Sequence, residues 1–198
     1  MNALRNRREV LAALAAALST PLTWAETPPT TATAPPAGSA RYIIELLAFH
    51  PPGAAPAHAY PVPALTPAQT LAGRVEPLGS DQFQLGAAKD ALVRKGGFKI
   101  LSHLVWAAIV PPNGRTTTHL ADLVNTADAA PLAGSLAVQR SQYLFMGLEL
   151  DYTVGNQTYG LREKRRVKFG ERHYFDHPAF GVIAQVTAAK GAAATDAP

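Results

Sequence analysis

The chain has 198 residues, 47% of them apolar, which is enough for one compact core but not for two sizeable ones once its ends are set aside. It has no cysteine, which excludes disulfides, thiol catalysis and attachment of lipid through a cysteine. The formal charge of +4 is local: residues 1–25 hold three Arg and one Glu (+2), leaving +2 for the rest, and residues 161–172 hold six basic and two acidic groups (+4), leaving −2 elsewhere.

Residues 1–25 read as a secretory signal peptide, with Arg5, Arg7 and Arg8 ahead of the apolar run 10–18 and a Thr23-Trp24-Ala25 cleavage site. The run falls short of the roughly 20 residues that a spanning helix needs. The expectation is cleavage after Ala25, export to the periplasm and no transmembrane segment in the mature form. Arg7-Arg8 followed by Val10-Leu11 also fits a twin-arginine leader. The next stretch, "ETPPTTATAPPAGSA" (26–40), is Pro, Thr, Ala and Gly and reads as a disordered linker, as does the tail 188–198. A single domain is expected over 41–187.

Within it, "RYIIELLAFH" (41–50) is apolar on both sides of its alternation, as a central strand would be. Prolines at 51, 52, 56, 61, 63 and 67 make the next stretch a long extended loop. The spacing of Phe83, Ala87, Ala91 and Leu92 predicts a helix capped by Ser80 or Asp81 and stopped at Gly96-Gly97. "FKILSHLVWAAIV" (98–110) reads as a second buried strand, followed by a polar loop to about Leu132. Residues 134–154 form either one bulged strand or a hairpin, with 157–169 and 180–188 as further strands. The fold class expected is α+β, a two-layer arrangement of a largely antiparallel sheet of about five strands with at least one packed helix.

The densest chemistry lies in "LREKRRVKFGERHYFDHPAFG" (161–181). On a strand, Arg162, Lys164, Arg166 and Lys168 share one face about 6.5–7 Å apart, a linear positive ridge whose field Arg172 would extend, while Arg165 falls on the opposite face. Arg pairs with carboxylates in a planar two-bond fork, so an envelope polymer bearing carboxylates is the ligand expected, with these six residues as the binding set. Nucleic acid is not expected of an exported chain that lacks a base-stacking motif. Glu171, His173, Tyr174, Asp176, His177 and Pro178 read as a structural turn, since Pro178 holds His177 extended and Asp176 can accept from nearby amides. His173, Asp176 and His177 are also metal-ligand types, which keeps a metal-dependent envelope enzyme open as an alternative; a protein adaptor without glycan contact is another. Glu149 and Asp151 share a strand face, but acids two apart usually mark a solvent edge, and no nucleophile elbow is present. No catalytic residue, metal or cofactor is assigned.

The blocks "RYIIELLAFH", "FKILSHLVWAAIVPP", "LAGSLAVQRSQYLFMGLELDY" and "LREKRRVKFGERHYFDHPAFGVIAQVT" resemble, in order, those of the CsiV-type family of periplasmic proteins. The most specific part of the likeness is Arg165-Arg166 with Glu171, His173-Tyr174, Asp176-His177-Pro178 and Phe180-Gly181. The resemblance implies a noncatalytic peptidoglycan-binding protein that supports cell-wall synthesis. It also implies, as partner, a lipoprotein activator of a class A penicillin-binding protein.

Overall fold

Alternation of apolar and polar side chains governs most of residues 34–53, 75–124 and 132–189, which a computed structural model describes. The expected signal peptide, most of the expected linker, the proline-rich stretch 54–74, residues 125–131 and the expected tail from 190 lie outside the described residues. No helix among the described residues is long and apolar enough to cross a membrane.

Nine strands and one α-helix make up the described chain: β1 (Ala40–His50), β2 (Val75–Pro77), α1 (Gly86–Lys95), β3 (Lys99–Val110), β4 (Arg115–His119), β5 (Leu132–Arg140), β6 (Leu144–Val154), β7 (Gln157–Val167), β8 (Arg172–His177) and β9 (Phe180–Ala188). They form two antiparallel sheets, β2-β3-β1-β9-β8 and β4-β5-β6-β7. The sheets face one another across a shared core. Ile44, Leu46, Trp106, Phe175, Val182 and Val186 come from the first sheet, and Leu136, Met146, Leu148, Leu150, Leu161 and Val167 from the second.

The two-layer α+β architecture expected from the sequence is therefore corrected: the layer opposite the first sheet is a second sheet. Helix α1 cannot serve as that layer, because its ten residues bury no side chain. Three strands were not expected, β2, β4 and β8, and the latter two lie in segments with period-two patterning. The polar loop expected after Pro111 contains β4, whose Thr116 and Thr118 are buried with their hydroxyls satisfied. Thr116 donates to the Ile109 carbonyl at 2.7 Å, and Thr118 accepts from Trp106 Nε1 at 3.0 Å. Threonine suits a pleated, half-buried surface, and its hydroxyl made the segment look like a loop. The turn expected at 171–178 is also mostly strand, since β8 runs to His177 and the reversal is confined to Pro178 and Ala179.

The stretch 134–154 resolves as a hairpin turning at Ser141–Tyr143. Gly134, at φ +117°, is the one residue of β5 in a backbone region closed to other side chains, and a Cβ there would collide with the Glu149 carbonyl.

β1 is covered on both faces, as its sequence suggests. Its outer face carries Glu45, which is buried. The Glu45 carboxylate accepts from Gln84 N at 2.8 Å, Leu85 N at 2.9 Å and His103 Nε2 at 2.7 Å, while the Phe83 ring stacks on His103 with centroids 3.9 Å apart. The expected capping by Ser80 or Asp81 is corrected accordingly: Ser80–Gln82 is a short 3-10 turn, and the amides just before α1 are held by a carboxylate from β1. Buried Leu85 anchors the segment, whereas Ala87, expected on the core side, is exposed. The stop at Gly96-Gly97 is where the helix ends.

Two substitutions test these local constraints by urea denaturation. Glu45→Ala, which strips partners from two amides and a buried imidazole, is expected to cost about 3 kcal/mol and to speed amide exchange over 84–95. Gly134→Ala is expected to cost about 1–3 kcal/mol with the β5–β6 ladder weakened first.

Candidate functional site

β7 is built as its sequence suggests. Tyr159, Leu161 and Val167 point into the core, and Arg162, Lys164 and Arg166 are exposed on the opposite face. The six basic residues expected to act together do not share one surface. Arg162, Lys164 and Arg166 lie on the outer face of the second sheet. Arg165 lies on the core-facing side, paired with Glu163, donating to the Tyr174 carbonyl at 2.9 Å and resting 4.2 Å from the centre of the Phe175 ring. Lys168 sits in the β7–β8 turn beside Glu171 at 3.3 Å. Arg172 shares the outer face of the first sheet with Tyr174 and Asp176. The physical reason is that a strand's alternation separates neighbours in sequence, and the turn at 168–171 moves the chain from one sheet to the other.

Even the three that share a face differ in their commitments. Arg162 is tied down: it pairs with buried Asp151 at 2.5 Å and donates to the Leu150 carbonyl at 2.8 Å. This pair also disposes of a two-carboxylate arrangement, since Asp151 is held by an arginine and Glu149 stands alone. Arg166 lies flat over the Tyr143 ring at 3.5 Å. Lys164 reaches Gln139 Oε1 at 2.6 Å and passes 5.3 Å from the Phe145 ring centre, with no ion pair among the described residues.

The cross-strand register turns these residues into a trough. The row Thr117, Ala137, Gly147, Lys164 crosses β4 to β7, and its small central residues form the floor. One wall is the row Arg115, Gln139, Phe145, Arg166, and the other contains Ser135, Glu149 and Arg162. The resulting depression has a volume of about 280 Å³. A Cβ on Gly147 would meet only the Lys164 side chain at 4.0 Å, so a larger residue there would project into the depression. Arg115, Gln139, Phe145 and Gly147 escaped the sequence reading because no local signal joins them. Only the pairing of four strands does.

The histidine motif is divided in the same way. Asp176 accepts from Tyr174 Oη at 2.7 Å on the outer face, while His173 and His177 lie on the other side of β8. His177 Nδ1 accepts from Ala179 N at 3.1 Å, and burial pushes its pKa down, partly offset by Asp176. His173 Nε2 accepts from Lys168 N at 3.3 Å. Glu171 and Pro178 lie at the two turns that flank β8. Among the described residues, no group of three or more His, Asp or Glu side chains is placed to hold a metal ion.

Burial, the hydrogen bond to Asp176 and that residue's negative charge together push the Tyr174 pKa up to about 12. Its neutral form is favoured in the fold, so this contribution to stability is intact below pH 10 and lost as pH rises towards 12. An ultraviolet titration should find a tyrosine ionising near pH 12 that disappears in Tyr174→Phe and moves down in Asp176→Asn. For His177 the sign is opposite in pH: the neutral ring is the folded form, and its contribution is lost as pH falls below the ordinary imidazole value of about 6.5.

The likeness noted in the sequence holds across the described chain. The family model for the peptidoglycan-binding protein CsiV matches residues 25–189, which spans both sheets and the trough. Comparison with curated proteins and with solved structures returns no match. The chain belongs to the CsiV family, whose description is that of a peptidoglycan-binding protein.

Proposed function

We propose that this protein binds peptidoglycan without cleaving it, through the trough on the outer face of the second sheet. The observation that carries this reading is the combination of a recessed, small-residue floor with Arg115, Lys164 and Arg166, cations with no acid paired to them among the described residues. Peptidoglycan supplies matching chemistry. Its stem peptides carry carboxylates that Arg and Lys bind, and its sugar rings offer apolar faces to Phe145 and to Tyr143, which is 39% exposed. Arg162 belongs to the site as a support. It keeps Asp151 neutralised and forms part of one wall.

Membership in a peptidoglycan-binding family places the activity in the cell envelope. The leader over 1–25 would deliver the chain to the periplasm, cleaved after Ala25. There it would support cell-wall synthesis by bridging the polymer and a lipoprotein activator of a class A penicillin-binding protein. Support for a noncatalytic role comes from the Arg162–Asp151 pair, which occupies one of two nearby carboxylates, and from the separation of Asp176 from His173 and His177 across β8.

Co-sedimentation with purified sacculi tests the reading. The protein should be retained, and added salt should release it, since exposed charge contacts are screened within about 10 Å at 0.1 M ionic strength. Arg115→Gln/Lys164→Gln/Arg166→Gln should weaken retention by about tenfold or more. Gly147→Val, which fills the floor without touching the core, should do the same. Retention unchanged in both variants would remove the trough as the site. Arg165→Gln, on the other side of the strand, should leave retention as in the unaltered protein.

A further inference from the structure

The trough is bipolar, and its polarity selects a class of ligand. Of the charged side chains lining it, Arg162 is committed to Asp151 and Glu163 to Arg165, while among the described residues Arg115 bonds only Thr117 and Lys164 only the Gln139 amide oxygen. Glu149 is exposed, opposite Arg162 in the register, and makes no ion pair or hydrogen bond among the described residues. Cations with no acidic partner thus stand on one side of the floor, and a carboxylate with no partner stands on the other. Glu149 and Lys164 are diagonal neighbours across β6 and β7, with backbone separation of about 7–8 Å. Both long side chains can reach a group lying between them on the Gly147 floor.

A polyanion such as a phosphate polymer would be repelled by Glu149, and a simple carboxylate would leave it without a partner. The unmatched charges are complemented by a ligand that brings an ammonium and a carboxylate together. We infer that the trough recognises a zwitterionic amino-acid centre of the stem peptide, its carboxylate held by Lys164 and Arg115 and its free ammonium by Glu149. This rests on the peptidoglycan reading above and narrows it from the polymer to one of its chemical ends. In cross-linked material, where that amine is converted to an amide, the centre loses its cation. The site would then favour strands whose peptides are not yet cross-linked.

Isothermal titration with soluble probes decides the question alongside the sacculus assay. The probes are N-acetyl-L-alanyl-γ-D-glutamyl-diaminopimelate, whose single free amine is the distal one of diaminopimelate, and the same peptide acetylated there as well. The unaltered protein should bind the free-amine peptide about tenfold more tightly than the acetylated one. Glu149→Gln should erase that preference, and Lys164→Gln should weaken both peptides. Equal binding of the two peptides by the unaltered protein, or binding of neither while sacculi are still retained, overturns the zwitterion assignment and leaves the peptidoglycan reading standing. Loss of sacculus retention as well would overturn both. Glu149 is exposed and unbonded, so its amide variant should keep the unaltered melting temperature, which separates loss of recognition from loss of fold.

Discussion

The register between β6 and β7 is the constraint on which both the core and the trough depend. Leu144 pairs with Val167 at one end and Val154 with Gln157 at the other, with every intervening residue paired in turn. Because the side-chain period of a strand is two, this single alignment assigns Met146, Leu148, Leu161 and Val167 to the interior and Gly147, Glu149, Arg162, Lys164 and Arg166 to the exterior. A slip of one residue would carry three cations into the core, at a cost no domain of this size can absorb. The Arg162–Asp151 pair reinforces the alignment. Asp151 is buried on the outer side of β6, and in the observed register Arg162 lies diagonally across from it and pairs with it.

The same alternation explains how a structural core and a binding face share one sheet without compromise. The inner surface is packed against the other sheet by large aliphatic side chains. No described element covers the outer surface, and its centre is made of Ala137 and Gly147, so a depression forms where other sheets would present a convex row. Rigid strands fix the charged groups around it, and the aromatic rings of Tyr143 and Phe145 further restrict Arg166 and Lys164. Such preorganisation lowers the entropy lost when a flexible polymer is bound. The first sheet is used differently. Its outer face is covered by the segment around α1, fastened at Glu45, so that face is structural over its centre and exposed towards β8 and at the Arg41–Glu76 pair.

Sequence and structure agree best where the pattern is long and one-sided. β1, β3, β6, β7 and β9 are all legible, because apolar runs bounded by Pro, Gly or Asn mark buried strands regardless of what they pair with. The reading failed where polarity masked an extended backbone. Thr116 and Thr118 bury their methyls and satisfy their hydroxyls, yet in one dimension they look like a loop. Arg172 to His177 carries five polar or aromatic groups around one buried Phe175, so a strand at a sheet edge looked like a turn. The helix was placed nearly correctly, but its partner was not. The groups that hold its start come from β1, some 40 residues earlier in the chain.

What the sequence determined by itself is composition and parity: a core large enough for one domain, the family likeness in its ordered blocks, and the fact that Arg162, Lys164 and Arg166 would emerge on one side of whatever sheet β7 joined. Parity is a local property of an extended chain and needs no knowledge of neighbours. Tertiary structure alone decided that the second layer is a sheet, and that Lys168 and Arg172 leave the ridge. It decided too that Asp151 claims Arg162 while Glu149 stays free, and that Arg115 joins the site from a segment that looked like loop. Each of these depends on which strand lies beside which, and strand pairing is fixed by packing across the whole molecule rather than by any stretch of sequence.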